Sequence, residues 1–140
     1  GYMNAKSLAV ALCLALIVSG SFAQEKEYKV KVFDLQDVIT TLDRASSSSS
    51  SSCESSDFPV YQGSAKKEVN FADLQSIIVR HDKPAEDPNN YVTVELEYLN
   101  GSSDLYEMVK HIRITGTGES GSFSKKIVEI NMLEIVHKMY

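Results

Sequence analysis

The chain has 140 residues, 43% hydrophobic and 24% charged, with 14 Lys plus Arg against 19 Asp plus Glu and a net charge of -5. That length fits one domain, and the acidic balance excludes a general nucleic-acid binder, which needs a basic face to neutralise phosphates. Two cysteines and no tryptophan exclude a disulfide-scaffold mini-protein.

Residues 1–23 read as a two-residue scar, Gly1 and Tyr2, followed by a secretory signal peptide. Asn4, Ala5 and Lys6 make a short positive n-region, and Leu8 to Val18 is an apolar run. Ser21-Phe22-Ala23 places small residues at the -3 and -1 positions, so cleavage is expected before Gln24. The uninterrupted run is shorter than the roughly 20 apolar residues of a membrane-spanning helix, and no later segment is apolar enough to span a bilayer. Export to the periplasm or beyond the cell is the expectation. Cleavage leaves 13 basic against 19 acidic residues, or -6, and one cysteine, Cys53. Cys53 then has no partner within the chain. It reads as an incidental thiol, with an intermolecular disulfide as the alternative.

The remaining residues, 24–140, are expected to form a single β-rich domain. Ser46 to Ser52 is an unbroken serine run, and the polar stretch at 45–57 predicts a flexible loop or linker. The segment from Asp82 to Asn90, with Pro84 and Pro88, predicts a surface loop. Tyr91 to Tyr98 alternates, with Val92, Val94, Leu96 and Tyr98 on one face, which predicts a half-buried strand. Asn100-Gly101 is a strong hairpin signal, because both residues tolerate positive φ. Leu105 to Thr115 is then the return strand.

Three segments share the form Val-x-apolar-x-x-Leu-(Gln or Glu)-x-(Val or Ile). They are Val30 to Ile39, Val69 to Ile78 and Val128 to His137. The pattern predicts a strand, a tight kink that changes side-chain phase, and a second strand. Leu35, Val38, Ile39 and Leu42 also fit helical spacing, so a helix over 35–44 is the alternative there. The β-branched Val38 to Thr41 favours strand.

Constellations that carry chemistry are scarce. Gly116-Thr117-Gly118-Glu119-Ser120-Gly121 matches G-x-G-x-x-G by letter, but a strand-like segment follows it where a dinucleotide site needs a helix. The glycines read as turn residues. His81, His111 and His137 lack metal-ligand spacing. His81 opens the proline loop, His111 alternates outward with Arg113 on a strand, and His137 ends the third segment. Asp82, Glu86 and Asp87 are close in sequence without EF-hand spacing. Ser64 and Ser76 lack a nucleophile-elbow context. No catalytic, cofactor-binding or metal residue is assigned. Counting back by two from Tyr140, Lys138 and Glu134 put two charges on one face of the last strand, which disfavours a membrane barrel.

The segment Thr115 to Phe123, followed by Val128-x-Ile130-x-x-Leu133-x-x-Val136, resembles a pattern in uncharacterised exported bacterial proteins. Those carry a Gly-rich turn, a Gly-x-Phe strand and then a strand-kink-strand. The resemblance covers residues 115–136 and, in part, Val69 to Ile78. It implies a β-rich exported protein and supplies no activity, cofactor or site residue.

The expected fold is all-β, a small barrel or sandwich of about eight short antiparallel strands, with α+β as the alternative if 35–44 is helical. The expected function is that of an exported non-enzymatic domain that binds a partner or self-assembles in the envelope or outside the cell. An edge strand would recruit another chain. The alternative is a small-molecule or lipid carrier with a barrel cavity. A hydrolase acting outside the cell is the third class, and no residue pattern selects it.

Overall fold

A computed structural model describes residues 27–49 and 54–138. The expected signal peptide, its expected cleavage point and Cys53 lie outside the described residues. Ten strands form: β1 (Tyr28–Asp34), β2 (Ile39–Ser48), β3 (Asp57–Gln62), β4 (Ala65–Asn70), β5 (Leu74–Val79), β6 (Tyr91–Tyr98), β7 (Ser103–Val109), β8 (Arg113–Gly118), β9 (Gly121–Lys126) and β10 (Ile130–His137). Two 3-10 turns, Phe71–Asp73 and Ile127–Glu129, precede β5 and β10. All ten strands join one antiparallel sheet in the order β4-β3-β7-β6-β5-β10-β1-β2-β8-β9, curled into a half-barrel.

Short connections require the curl. β7 and β8 stand third and ninth in the sheet, yet only Lys110, His111 and Ile112 join them. Laid flat, six strand spacings measure about 29 Å, while four Cα steps reach at most about 15 Å. The two 3-10 turns face the same problem, each linking an edge strand to a central one. Curling gathers the inner-face side chains into one core. Phe58 and Phe71, both fully buried, meet there with ring centroids 4.8 Å apart. Val30 and Val32 alternate with exposed Lys29 and Lys31 along β1, the two-residue period of a half-buried strand.

Several sequence expectations need correction. The all-β class holds, but about eight strands become ten, in one curled half-barrel sheet instead of a closed barrel or a sandwich. The expected return strand Leu105 to Thr115 is two strands at opposite ends of the sheet, β7 and β8, and His111 lies in the turn between them. Residues 35–44 contain no helix; Asp34 accepts amide hydrogen bonds from Gln36 and Val38 and closes a tight β1–β2 turn. The Ser-rich segment is also shorter as a loop than 45–57. Ala45 to Ser48 belong to β2, paired with β8, and Asp57 begins β3. Ser47 is buried because its polar groups are satisfied: its amide and carbonyl bond Ser55, and its hydroxyl donates to the Asp57 carbonyl at 3.0 Å.

The three repeated segments do not share one conformation. The first is the β1–β2 hairpin, with Leu35 exposed at its tip. The second runs from the end of β4 through a 3-10 turn into β5, whereas the third begins inside its 3-10 turn and continues as β10, so the two are three residues out of the expected phase. Leu74 corresponds to Ile130, the first residue after each turn, and not to Leu133.

The correct phase reveals an internal pseudo-two-fold. From edge to centre, one half runs β4-β3-β7-β6-β5 and the other β9-β8-β2-β1-β10. Both halves connect their strands alike, except that β1 and β2, first in the chain, complete the second half. Phe71 N–H donates to the Ser56 carbonyl, and Ile127 N–H to the Ile112 carbonyl, each residue matched 56 positions on. Leu99 N–H donates to the Asp73 carbonyl as Leu35 N–H does to that of Glu129. The dyad passes through Ile77 and Leu133, which are matched residues and also pair with each other across β5 and β10. Beside it, His81 Nε2 lies 2.9 Å from the Ile130 carbonyl, and His137 Nε2 lies 2.7 Å from the Leu74 carbonyl. A carbonyl only accepts, so both rings carry the proton on Nε2.

Two expectations follow for stability. His137 is the more enclosed of the pair, and its ring meets that of Tyr28 at a 48° tilt with centroids 6.2 Å apart. His137→Ala should cost about 1–1.5 kcal/mol and His81→Ala less, within the usual net range for one hydrogen bond, read from urea midpoints; no loss in either variant would remove the reciprocal bonds from the account. The Gly-rich segment gives the second. A Cβ at Gly116 would collide with the Arg44 carbonyl oxygen, and one at Gly118 would sit 2.8 Å from that of Thr41, whereas Gly121 meets nothing but holds φ of 110°. Two of these glycines therefore let β8 approach β2, and only the third serves the β8–β9 turn. Gly116→Ala should destabilise by about 1–3 kcal/mol through overpacking, measured by the same titration.

Candidate functional site

The outer face of a curled antiparallel sheet normally carries polar residues, because it meets water. Six central strands, β2-β1-β10-β5-β6-β7, present two neighbouring cross-strand rows on that face. One row reads Thr41, Lys31, Glu134, Ser76, Glu97, Ser103. The other reads Ile39, Phe33, Met132, Ile78, Glu95, Leu105. The pseudo-two-fold exchanges these rows position by position, so the first serves as an internal control for the second. One is polar throughout and the other is mostly apolar. Ile39 is 58% exposed and Leu105 37%, while Phe33, Met132 and Ile78 are partly exposed. Leu35 and Val38 extend the apolar surface over the β1–β2 turn, each more than half exposed. Scattered surface apolar residues need no explanation, but a contiguous patch does.

Charged groups frame the patch. Lys29 and Lys31 lie on its β1 side. Glu95 and Glu97 on β6 and Glu107 on β7 lie on the other. Arg80 is bound to Glu95 at 2.6 Å and to Asp82 at 2.9 Å. The free edges are charged too: β4 carries Lys66 and Lys67, and β9 carries Lys125 and Lys126. Edge lysines discourage another strand from adding there.

Two lysines cap the inner face near opposite edges of the sheet. Lys67 Nζ lies 3.3 Å from the Tyr98 hydroxyl, which lies 2.9 Å from that of Tyr106. The bond to Tyr98 raises the Lys67 pKa against a smaller desolvation cost. The Tyr98 bond, followed by burial, also raises the Tyr106 phenol. In the other half, Lys125 lies 3.4 Å from the buried Asp34 carboxylate. Burial pushes the Asp34 pKa up, but the Val38 and Gln36 amides together with Lys125 outweigh it and hold it below the ordinary value. Asp82 is brought down to about 2, chiefly by its bond to Arg80. Each of these shifts deepens the charge state already present at neutral pH. General acid–base chemistry uses the opposite, a group moved towards the working pH.

The residues singled out in the sequence are dispersed. His81 and His137 serve the central strand pair, and His111 lies in a turn between opposite ends of the sheet. Asp82 is spent on Arg80, and Asp87 receives the Asn90 side chain. Among the described residues no three His, Cys, Asp or Glu side chains come together in a metal-holding group. A groove of about 560 Å³ opens between Glu27–Lys29, Asp43–Arg44 and Val136–Lys138. Its charges include the Glu27–Lys138 and Lys29–Asp43 pairs, so it presents no single sign to select a ligand. Sequence reasoning missed the apolar row because its members come from six strands. Only the strand order makes them neighbours.

No family model matches the chain, and neither does any curated protein.

The Asp34 environment yields a pH expectation. A carboxyl whose pKa is lower folded than unfolded stabilises fully above the unfolded value, about 3.9, and loses that contribution as pH falls through the folded value. The urea midpoint should therefore drop on acidification below about pH 4. Asp34→Asn should lower the midpoint at neutral pH and flatten part of that acid slope; Asp82 would retain its own share. An unchanged slope would separate Asp34 from the acid response.

Proposed function

We propose that this chain is an exported, non-enzymatic bacterial β-domain that acts by binding protein through the outer face of its central strands, after removal of residues 1–23. The observation that carries the reading is the apolar row Ile39, Phe33, Met132 and Ile78, set beside its polar counterpart. The n-region, apolar run and small-residue cleavage pattern support export to the periplasm or the exterior. Among the described residues no helix is long and apolar enough to cross a membrane. The carrier alternative needs an inner cavity, and here Phe58, Phe71, Ile77 and Leu133 fill the inner face with no exposure. Recruitment by an edge strand is disfavoured by the lysines on β4 and β9, which moves the expected contact from the edge to the face.

The test is made in a bacterial host. A photo-reactive phenylalanine analogue is placed at position 132 and, as control, at the exposed Glu119 of the β8–β9 turn, outside this face. The expected result is a chain beginning at Gln24 outside the cytoplasm that forms protein adducts from 132 and few from 119. A chain retained inside with its leader intact would overturn export. Equal or absent adducts at both positions would overturn binding through this face.

A further inference from the structure

We infer that the occupant of this face is a second copy of the chain, packed outer face to outer face about a two-fold axis lying between β5 and β10 and parallel to them. The inference rests on the binding reading above and names its partner. Two in-plane axes are compatible with facing sheets. An axis running across the strands would lay the apolar row of one copy on the polar row of the other. An axis parallel to the strands instead lays like row on like row and reverses the strand order.

That reversal matches the chemistry on the page. Met132 then meets the partner's Ile78, and Ile39 meets the partner's Leu105, apolar on apolar. In the polar row Lys31 meets the partner's Glu97, because each lies the same number of strands from the axis. Each such contact occurs twice by symmetry, as an isologous interface requires. Lys31 is exposed and Glu97 partly so, and both are available for such a pair. Phe33 lies against the stem of Glu95, whose carboxylate is already held by Arg80. The face is thus self-complementary in both apolarity and charge about this one axis.

Size decides how strong the contact is. Five strand spacings by two rows cover on the order of 400 Å² per copy, about half of a partner's share in a standard stable interface. The outer face is convex, which confines contact to the central strands. The dimer is accordingly weak and concentration-dependent, formed where the exported chain accumulates.

The experiment is sedimentation equilibrium of the chain from Gln24 to Tyr140, from micromolar to millimolar concentration, with reductant present so that Cys53 cannot bridge copies. A reversible monomer–dimer equilibrium is expected. Met132→Glu should weaken it about tenfold or more, the equivalent of about 1.4 kcal/mol, while its melting curve shows whether the monomer still folds. Lys31→Glu and Glu97→Lys should each weaken the dimer, and the double variant should recover it. Within one chain these residues are three strand spacings apart, about 14 Å, beyond a Debye length at physiological salt, so recovery reports a contact between copies. A monomer at every concentration would overturn the inference, as would a double variant no better than the singles. Adducts from position 132 to a different protein, with the purified chain monomeric, would overturn the second copy while leaving the binding reading intact.

Discussion

The antiparallel pairing of β5 with β10 holds the two halves of this molecule together. Ile77 and Leu133 face each other across it, fully buried, and are matched residues of the two halves. Around that pair, His81 donates to the Ile130 carbonyl and His137 to the Leu74 carbonyl. Each histidine, at or just beyond the end of one central strand, thus grips the first residue of the other. Each gripped residue also follows a 3-10 turn that brings the chain in from an edge strand. The central pair therefore positions both turns, and the turns position both edges.

Curl is the second consequence. Connections of three residues cannot cross four or six strand spacings of a flat sheet, so the inner face closes on its own side chains. The outer face is left convex and free to diverge between halves. Where the inner face demands volume, the two halves stay alike: Phe58 matches Ile114, Phe71 matches Ile127, and both members of each pair are buried. Where the outer face demands only solubility, they part. Phe33 corresponds to Glu97, and Met132 to Ser76. The divergence puts apolar surface on one row and keeps the other polar, which gives the molecule a face with direction.

Much of the fold was legible because burial in a half-buried strand has a period of two. Val92, Val94 and Leu96 announced β6, and Asn100-Gly101 announced its hairpin, with Gly101 at φ of 88°. The repeat was visible but misphased. The shared Leu letters of Leu74 and Leu133 suggested an alignment, whereas the chain conserves size and burial: Asp73-Leu74-Gln75 matches Glu129-Ile130-Asn131. The terminal His81 and His137 were the signal for the true phase. The Gly-rich segment was read as turn residues, yet Gly116 and Gly118 serve close approach of β8 to β2, which a local reading of turns does not reveal.

By itself the amino-acid sequence determined strand chemistry and the hairpin turn at Asn100-Gly101, since each of these depends on residues close together along the chain. Ten strands in one sheet, the pairing of β1 with β10, and the place of Ser47 within β2 were decided only by tertiary structure. So was the outer-face row, in which Phe33, Met132 and Ile78 are scattered along the chain yet neighbours in the sheet. The physical reason is that side-chain alternation records which face a residue takes but not which strand lies beside it. That choice belongs to the long-range hydrogen-bond ladder and to the short connections that force the sheet to curl.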